Sequence, residues 1–600
     1  MNFLKQTFAS IVGTIAGLLL FVALGTSSLV FLLFAATTPQ AEPQVKDKSI
    51  LVFDLATQIR DSEPQANIQQ VLSGNVESTL KLRDVLDSLE KAAKDDRIVG
   101  LLLDGRNDNV GSGYAVMEEV RDAIANFKAQ GKKIIAYDVA WSEREYYLAS
   151  IADEVLLNPM GIMEFNGMSS EQMFLKGAFD KYGIGVQVVR VGDYKSAIEP
   201  FTRENLSPAN RQQTQALLTD LWNQFLTSVG ESRGLSPQYL QEVADQKGFI
   251  EPLEAQELKL VDEIAYFDNL TTKLRELTGE SSKKTESFRQ VSFEDYVSDQ
   301  KDPVPNTTMA KNTIAVVYAE GSIVGGNGNV EQIGSDRFSQ AFRELRENDN
   351  VKAVVLRVNS PGGSATASEV ILREILLTKE EKPIIVSMGN VAASGGYWIS
   401  AGADQIFAEE NTITGSIGVF GLLANIQELG NNHGVTWDVV QTGKFADISS
   451  SVRPKTDAEL AIYQKSVAQV YNLFLQKVSE YRNLPQEKVQ QIAQGRVWSG
   501  KEALNIGLID QIGGLEDAIA FAAEKAELGK NWKIAEFPNH KTWETEVVER
   551  LFKVEALQVE QLADPLTAEL QKIRQELTLI QSLDDPRGIY ARLPFEFNVD

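Results

Sequence analysis

The sequence predicts an α/β protein of two tandem domains behind an amino-terminal transmembrane helix, and three observations carry that expectation. Short β-branched runs such as Ile98–Leu103, Ile134–Tyr137, Val351–Val358 and Ile384–Ser387 alternate with helix-like stretches, the rhythm of βαβ units around a parallel sheet. The chain also repeats itself. Ala255–Ile264 recurs as Ala503–Ile512, 248 residues on, and Tyr146-Tyr147 with Ala152-Asp153 recurs as Tyr397-Trp398 with Ala403-Asp404, 251 residues on. Finally, no charged residue falls between Gln6 and Ala41.

That uncharged stretch is the first element. Phe8–Ala36 is almost wholly apolar or small, long enough as a helix for the ~30 Å hydrocarbon core, whereas the apolar region of a cleaved signal peptide runs to about 7–15 residues. Lys5 precedes it and Glu42 leads the far side, so the positive-inside tendency puts the short amino terminus in the cytoplasm and the body across the membrane. The expectation is a single-pass protein of the plasma membrane or another energy-transducing internal membrane.

Residues 1–45 are then the stub and membrane helix, 46–300 the first α/β repeat and 301–540 the second. Between the repeats, Gly279–Asn312 is rich in Ser, Lys, Glu and Asp and holds Pro303 and Pro305, which reads as a linker or exposed loop. Residues 541–600 form a helical appendage, with Val547, Leu551, Val554, Leu557 and Leu562 at roughly helical spacing.

Composition narrows the chemistry. A formal charge of -25 and a pI near 4.7, with no concentrated basic stripe, argue against nucleic acid as a partner. The absence of cysteine removes thiolate nucleophiles, disulfides and Cys-type zinc sites, and leaves the redox compartment open. Only His433 and His540 are present, neither in a glycine-rich segment, so a hydrolase built on this chain would take lysine as its base.

Two glycine-rich turns follow apolar strands in the second repeat. In Val354–Ser364, the adjacent Gly362 and Gly363 let backbone N–H groups turn toward a ligand oxygen, as an oxyanion hole requires. In Ile384–Trp398, small residues surround Ser394 at the junction of a strand and a helix, which exposes a serine where the helix N-terminus favours developing negative charge. Ser394 is the candidate nucleophile. Ser360, Ser364 and Ser416 compete for that role, and spacing alone does not exclude them.

The segments Asn359–Ser364, Ala392–Trp398, Thr414–Val419 and Gly495–Gly500 resemble signal peptide peptidase A (protease IV), and the likeness runs from Ile50 to about Leu528. The duplicated length and the amino-terminal helix are similar to the long form of that family. The resemblance implies a fold like that of the Clp protease and crotonase superfamily, and a Ser/Lys dyad divided between the repeats. It places the lysine in a Tyr-Lys-Ser segment matched by Val189–Pro200, which makes Lys195 the general base. The repeat offset agrees, since Lys195 falls opposite Ala446 and Ser394 opposite Glu143, each half lacking what the other keeps. Lys444 is the rival base.

A free lysine with pKa about 10.4 is neutral roughly once in 2,500 molecules at pH 7, so Lys195 must be desolvated to act. It would take the Ser394 proton and return it to the leaving amine, with the oxyanion on the N–H groups of Gly362, Gly363 and Gly395. No metal or organic cofactor is needed. The resemblance further implies a serine endopeptidase that degrades signal peptides in the bilayer, and a homo-oligomer such as a tetramer. Two other readings keep the fold: a crotonase-like acyl-CoA enzyme, and a membrane scaffold with a degenerate peptidase fold.

Overall fold

The computed structural model describes residues 45–62, 79–107, 112–280, 287–300, 312–537, 585 and 587–593. The predicted membrane helix (8–36), the predicted appendage helix (547–562) and His540 lie outside them. Among the described residues no helix is long and apolar enough to cross a membrane.

The first repeat contributes β1 (Ser49–Asp54), β2 (Ile98–Asp104), β3 (Lys133–Trp141), β4 (Glu154–Phe165), β5 (Gly185–Val191), β6 (Gly248–Ile250), β7 (Glu263–Ile264) and β8 (Gln290–Ser292). All but β5 form one sheet in the order β8-β1-β2-β3-β4-β6, with β7 also on β4. The central pairs are parallel and β6 closes one edge antiparallel. The runs read as strands are therefore strands, and their near-continuous apolar character is that of a parallel sheet covered on both faces.

The second repeat contributes β9 (Thr313–Glu320), β10 (Ser322–Val324), β11 (Gln332–Gly334), β12 (Val351–Ser360), β13 (Gly362–Ser364), β14 (Ile384–Ala393), β15 (Gln405–Ala408), β16 (Ile413–Gly415), β17 (Val419–Asn425), β18 (Val497–Ser499), β19 (Gln511–Ile512), β20 (Lys533–Phe537) and β21 (Tyr590–Arg592). Its main sheet runs β18-β16-β14-β12-β9-β20, with β15 joining β14 to β19. The plan of the first sheet recurs: a parallel centre, a late parallel strand beside the first strand, and one antiparallel edge.

A smaller sheet crosses between the repeats in the order β11-β10-β13-β21-β17-β5. β5 belongs to the first repeat by sequence but pairs antiparallel with β17 along its whole length, from Val191 opposite Val419 to Gly185 opposite Asn425. A second link is polar. Arg357, fully buried, forms ion pairs with Asp61 at 2.8 Å and Glu119 at 2.6 Å from the first repeat, and donates to Ser387 Oγ at 2.8 Å. An arginine fork can satisfy two carboxylates at once, which is how three charges are buried together.

Two stretches differ from expectation. Residues 290–300 of the supposed linker form β8 and the helix Phe293–Gln300, because Val291, Phe293, Tyr296 and Val297 bury against β1 and its neighbours. Within the carboxyl-terminal segment, residues 590–592 form a strand inserted in the smaller sheet.

Candidate active site

The crossing of β5 is what carries Lys195 into the second repeat. Beyond Val191 the chain turns at Gly192, with φ 104°, where a Cβ would lie 2.4 Å from the Gln494 carbonyl oxygen and only glycine fits. The Tyr194 N–H donates to that same oxygen at 3.1 Å. Lys195 then packs on Gly495, where a Cβ would lie 2.7 Å from the lysine Cα, while its methylene stem runs past Gly418. The lysine is seated by two glycines from motifs of the other repeat.

Ser394 stands between β14 and the helix Gly395–Ser400 with φ 55° and ψ −110°, a strained conformation for a residue with a Cβ. Its N–H donates to the Gly415 carbonyl at 2.8 Å and its carbonyl accepts from the Trp398 N–H at 2.8 Å. The short helix is pinned by Trp398, whose ring centroid lies 4.3 Å from that of Phe474. Packing and backbone bonding together hold the strained serine in place.

Lys195 Nζ and Ser394 Oγ are hydrogen-bonded at 2.7 Å, and both side chains are completely buried. Nζ also donates to Ser416 Oγ at 3.0 Å and to the Ser416 carbonyl at 3.2 Å. All three contacts are to uncharged oxygens. Desolvation holds the Lys195 ammonium well below its ordinary pKa. A neutral amine in hydrogen-bond contact with a hydroxyl is the arrangement from which a serine can be deprotonated.

The rival residues have other partners. Ser360 Oγ donates to the Gly321 carbonyl at 2.6 Å and accepts from the Gly362 N–H at 3.1 Å. Ser364 caps the helix Ala365–Lys379, accepting from the Ala367 N–H at 3.1 Å, and donates to Asp585. Lys444 is exposed on a surface loop over the ring of Phe445, and His433 is exposed with Nδ1 on the Leu429 carbonyl. Ser416, also weighed as a nucleophile from sequence, places a second hydroxyl on Lys195 Nζ.

The glycine turn forms β13. Gly362 takes φ 95°, and its N–H is engaged by Ser360, so of the three expected oxyanion donors it is already occupied. Gly363 lies opposite Ala591 of β21 in the smaller sheet, and Gly395 opens the helix that follows Ser394. Sequence reasoning missed β21 altogether; the only signal was the short alternating run Ile589-Tyr-Ala-Arg-Leu593 near the end of the chain.

The matching place in the first repeat is closed. Glu143, at the position equivalent to Ser394, accepts from the Asn166 N–H at 2.6 Å and the Gly167 N–H at 3.1 Å, and burial raises its pKa.

The chain is similar to several known proteins. Peptidase family S49 matches residues 126–280 and 377–529, and the Clp protease family matches residues 306–413. Protease 4 of Haemophilus influenzae is 36% identical over 523 residues, 84% of this chain and 84% of that protein. The chloroplastic serine protease SPPA of Arabidopsis thaliana is 35% identical over 496 residues, 82% of this chain and 71% of that protein. A putative signal peptide peptidase SppA of Enterococcus faecium is 39% identical over 190 residues, 32% of this chain and 55% of that protein.

Proposed function

The chain belongs to peptidase family S49 and is a serine peptidase, and from that premise we propose a membrane-anchored endopeptidase with Ser394 as nucleophile and Lys195 as general base. The observation that supports the dyad is the 2.7 Å contact between Lys195 Nζ and Ser394 Oγ in a fully buried setting. Neutral Lys195 accepts the Ser394 proton as Oγ attacks a peptide carbonyl, then gives it to the departing amine. Water hydrolyses the ester by the same route in reverse. The oxyanion rests on the N–H groups of Gly363 and Gly395, with Gly362 supplying the φ that shapes the turn; each such donor contributes about 3–4 kcal/mol.

The substrates proposed are cleaved signal peptides and other apolar peptides, a reading supported by the name of the Enterococcus faecium relative. An extended peptide would pair as a strand along β13, the position that β21 holds in this structure, where main-chain bonding gives affinity and side-chain pockets give selectivity. The uncharged run 8–36 is read as a single-pass anchor with the body on the non-cytoplasmic side, which raises the local concentration of apolar membrane peptides at the site. The proposed divisions are 1–45, 46–300, 301–540 and 541–600, and the proposed assembly is a homo-oligomer such as a tetramer.

A fluorophosphonate probe tests the assignment. It should form one adduct on the full-length chain in detergent, mapped by mass spectrometry to Ser394 and lost on Lys195→Ala. An adduct on Ser416, or one formed equally well without Lys195, would refute it.

A further inference from the structure

Away from the dyad, a cavity of about 520 Å³ opens where the first repeat meets the second. Two helices of the first repeat, Leu82–Lys94 and Tyr114–Ala129, form its walls. The second repeat supplies the start of the helix Leu515–Lys525 and Glu409, the residue after β15. The lining is acidic along its length, with Asp87 and Glu90 on one wall, Glu119 and Asp122 on the other, and Glu516 and Asp517 at the end. Part of that charge is answered. Arg357 and the Leu515 N–H hold Glu119, each at 2.6 Å, and Arg83 lies 3.5 Å from Asp87 and 4.0 Å from Glu516.

Glu409 is not answered. It is 5% exposed, lines the cavity, and among the described residues has no hydrogen-bond or ion-pair partner. A buried carboxylate in that position is costly without a cation. Burial, with Glu118, Glu119 and Asp122 nearby and Arg357 opposing, pushes its carboxyl well above the ordinary range, and a cation in the cavity would reverse that.

The carboxylates are strung out rather than gathered. Among the described residues no three such side chains are placed to hold a metal ion. Instead Asp87 and Glu90, like Glu119 and Asp122, sit three residues apart on a helix. That is about 4.5 Å along the axis, the span of a short methylene linker between two ammonium groups. Leu86 and Ala93 on one wall and Ala123 on the other offer apolar surface for the methylenes between the charges. From Leu86 to Lys94 the wall is about 12 Å long, so the cavity suits an extended chain better than a compact ion.

We propose that this cavity binds a linear aliphatic polyamine, with one ammonium group seated on Glu409 and the chain running between the two first-repeat helices along Asp122 and Glu90. An ammonium brings three donors and no acceptor, and its hydrogen bonds to a carboxylate are of the strong, charge-assisted kind. Lys94, at the far end of its wall, marks where the acidic run stops. The ligand joins Glu409 of the second repeat to Asp122 and Glu90 of the first, so its binding favours the packed arrangement of the two repeats.

Calorimetric titration of spermidine into the full-length chain in detergent, at ~0.15 M ionic strength, tests this. Wild type should bind a single spermidine per chain, and Glu409→Gln should bind it about tenfold more weakly or worse. Asp122→Asn, at an exposed position, should lose about twofold to fivefold. Glu487→Gln removes the same charge from the exposed face of the helix Gln486–Ile492 and should bind as wild type does. No binding by wild type, or a Glu409→Gln chain that binds as tightly as wild type, would overturn the inference. So would an equal loss in Glu487→Gln, or displacement of spermidine by an equimolar magnesium salt, since either marks general screening of an acidic surface. If Glu409→Gln fails to fold, an unchanged affinity in Asp122→Asn overturns it in the same way.

Discussion

Lys195 and Ser394 are 199 residues apart in sequence and 2.7 Å apart in space, and the strand pairing of β5 with β17 is what closes that separation. One residue comes from each repeat, so neither repeat alone holds the pair. The buried amine has polar contacts only to uncharged oxygens, and desolvation holds its pKa well below the ordinary lysine value.

The ascending limb of kcat/KM against pH should report the deprotonation of Lys195, well below the value of about 10.4 for a free lysine. Lys195→Arg should be inactive across the range, since a guanidinium does not deprotonate in a protein. A pH–rate profile from pH 5 to 10 checks both, and a limb centred near 10.4 would refute the desolvated base.

The same depression makes Lys195 a stability cost. Between its lowered folded pKa and the unfolded value of about 10.4, the unfolded chain binds more protons than the folded one, so folding is penalised by about 1.4 kcal/mol per unit of depression and stability rises with pH across that window. Lys195→Met should therefore be more stable than wild type at pH 7, with the gap narrowing as pH approaches 10.4. Urea midpoints at pH 7 and pH 10 measure it.

Ser416→Ala removes the hydroxyl that holds Lys195 Nζ at 3.0 Å and leaves the Ser394 contact intact. One hydrogen bond of this kind is worth about 1 kcal/mol, so kcat should fall roughly fivefold to tenfold with KM unchanged. Steady-state kinetics on an apolar peptide separate this from the near-total loss expected if Ser416 were the nucleophile.

Arg357→Met should cost about 3–5 kcal/mol, because it leaves Asp61 and Glu119 buried without their cation. Burial already raises the Glu119 pKa, and without the cation its charged form is disfavoured further, so the loss should be larger at pH 8 than at pH 5. Urea unfolding at the two pH values provides the comparison.

Much of this was legible in the residues. The apolar runs at Ile98 and Val351 announced parallel strands because both faces of such a sheet are covered, and the repeat at Ala255 and Ala503 announced two copies of one domain plan. Ser394 stood out because Ala392 and Ala393 precede it and Gly395 and Gly396 follow it on a strand-to-helix turn. Lys195 did not stand out from local pattern, since its role depends on β5 crossing to β17, a contact between segments more than 200 residues apart; the family resemblance supplied it. Residues 590–592 were invisible for the same reason: three residues make a strand only because two edges are waiting for them. The strand and helix over 290–300 were hidden by their polar surroundings, although Phe293 and Tyr296 mark a buried face.

The most direct measurement is hydrolysis of an apolar peptide by full-length wild type, Ser394→Ala, Lys195→Ala and the double variant. If the two residues act as one unit across the repeats, each single change should lower kcat by about a thousandfold or more and the double variant should be no worse than either. Turnover by Ser394→Ala at the wild-type rate would contradict the account, and so would independent, multiplying losses in the double variant.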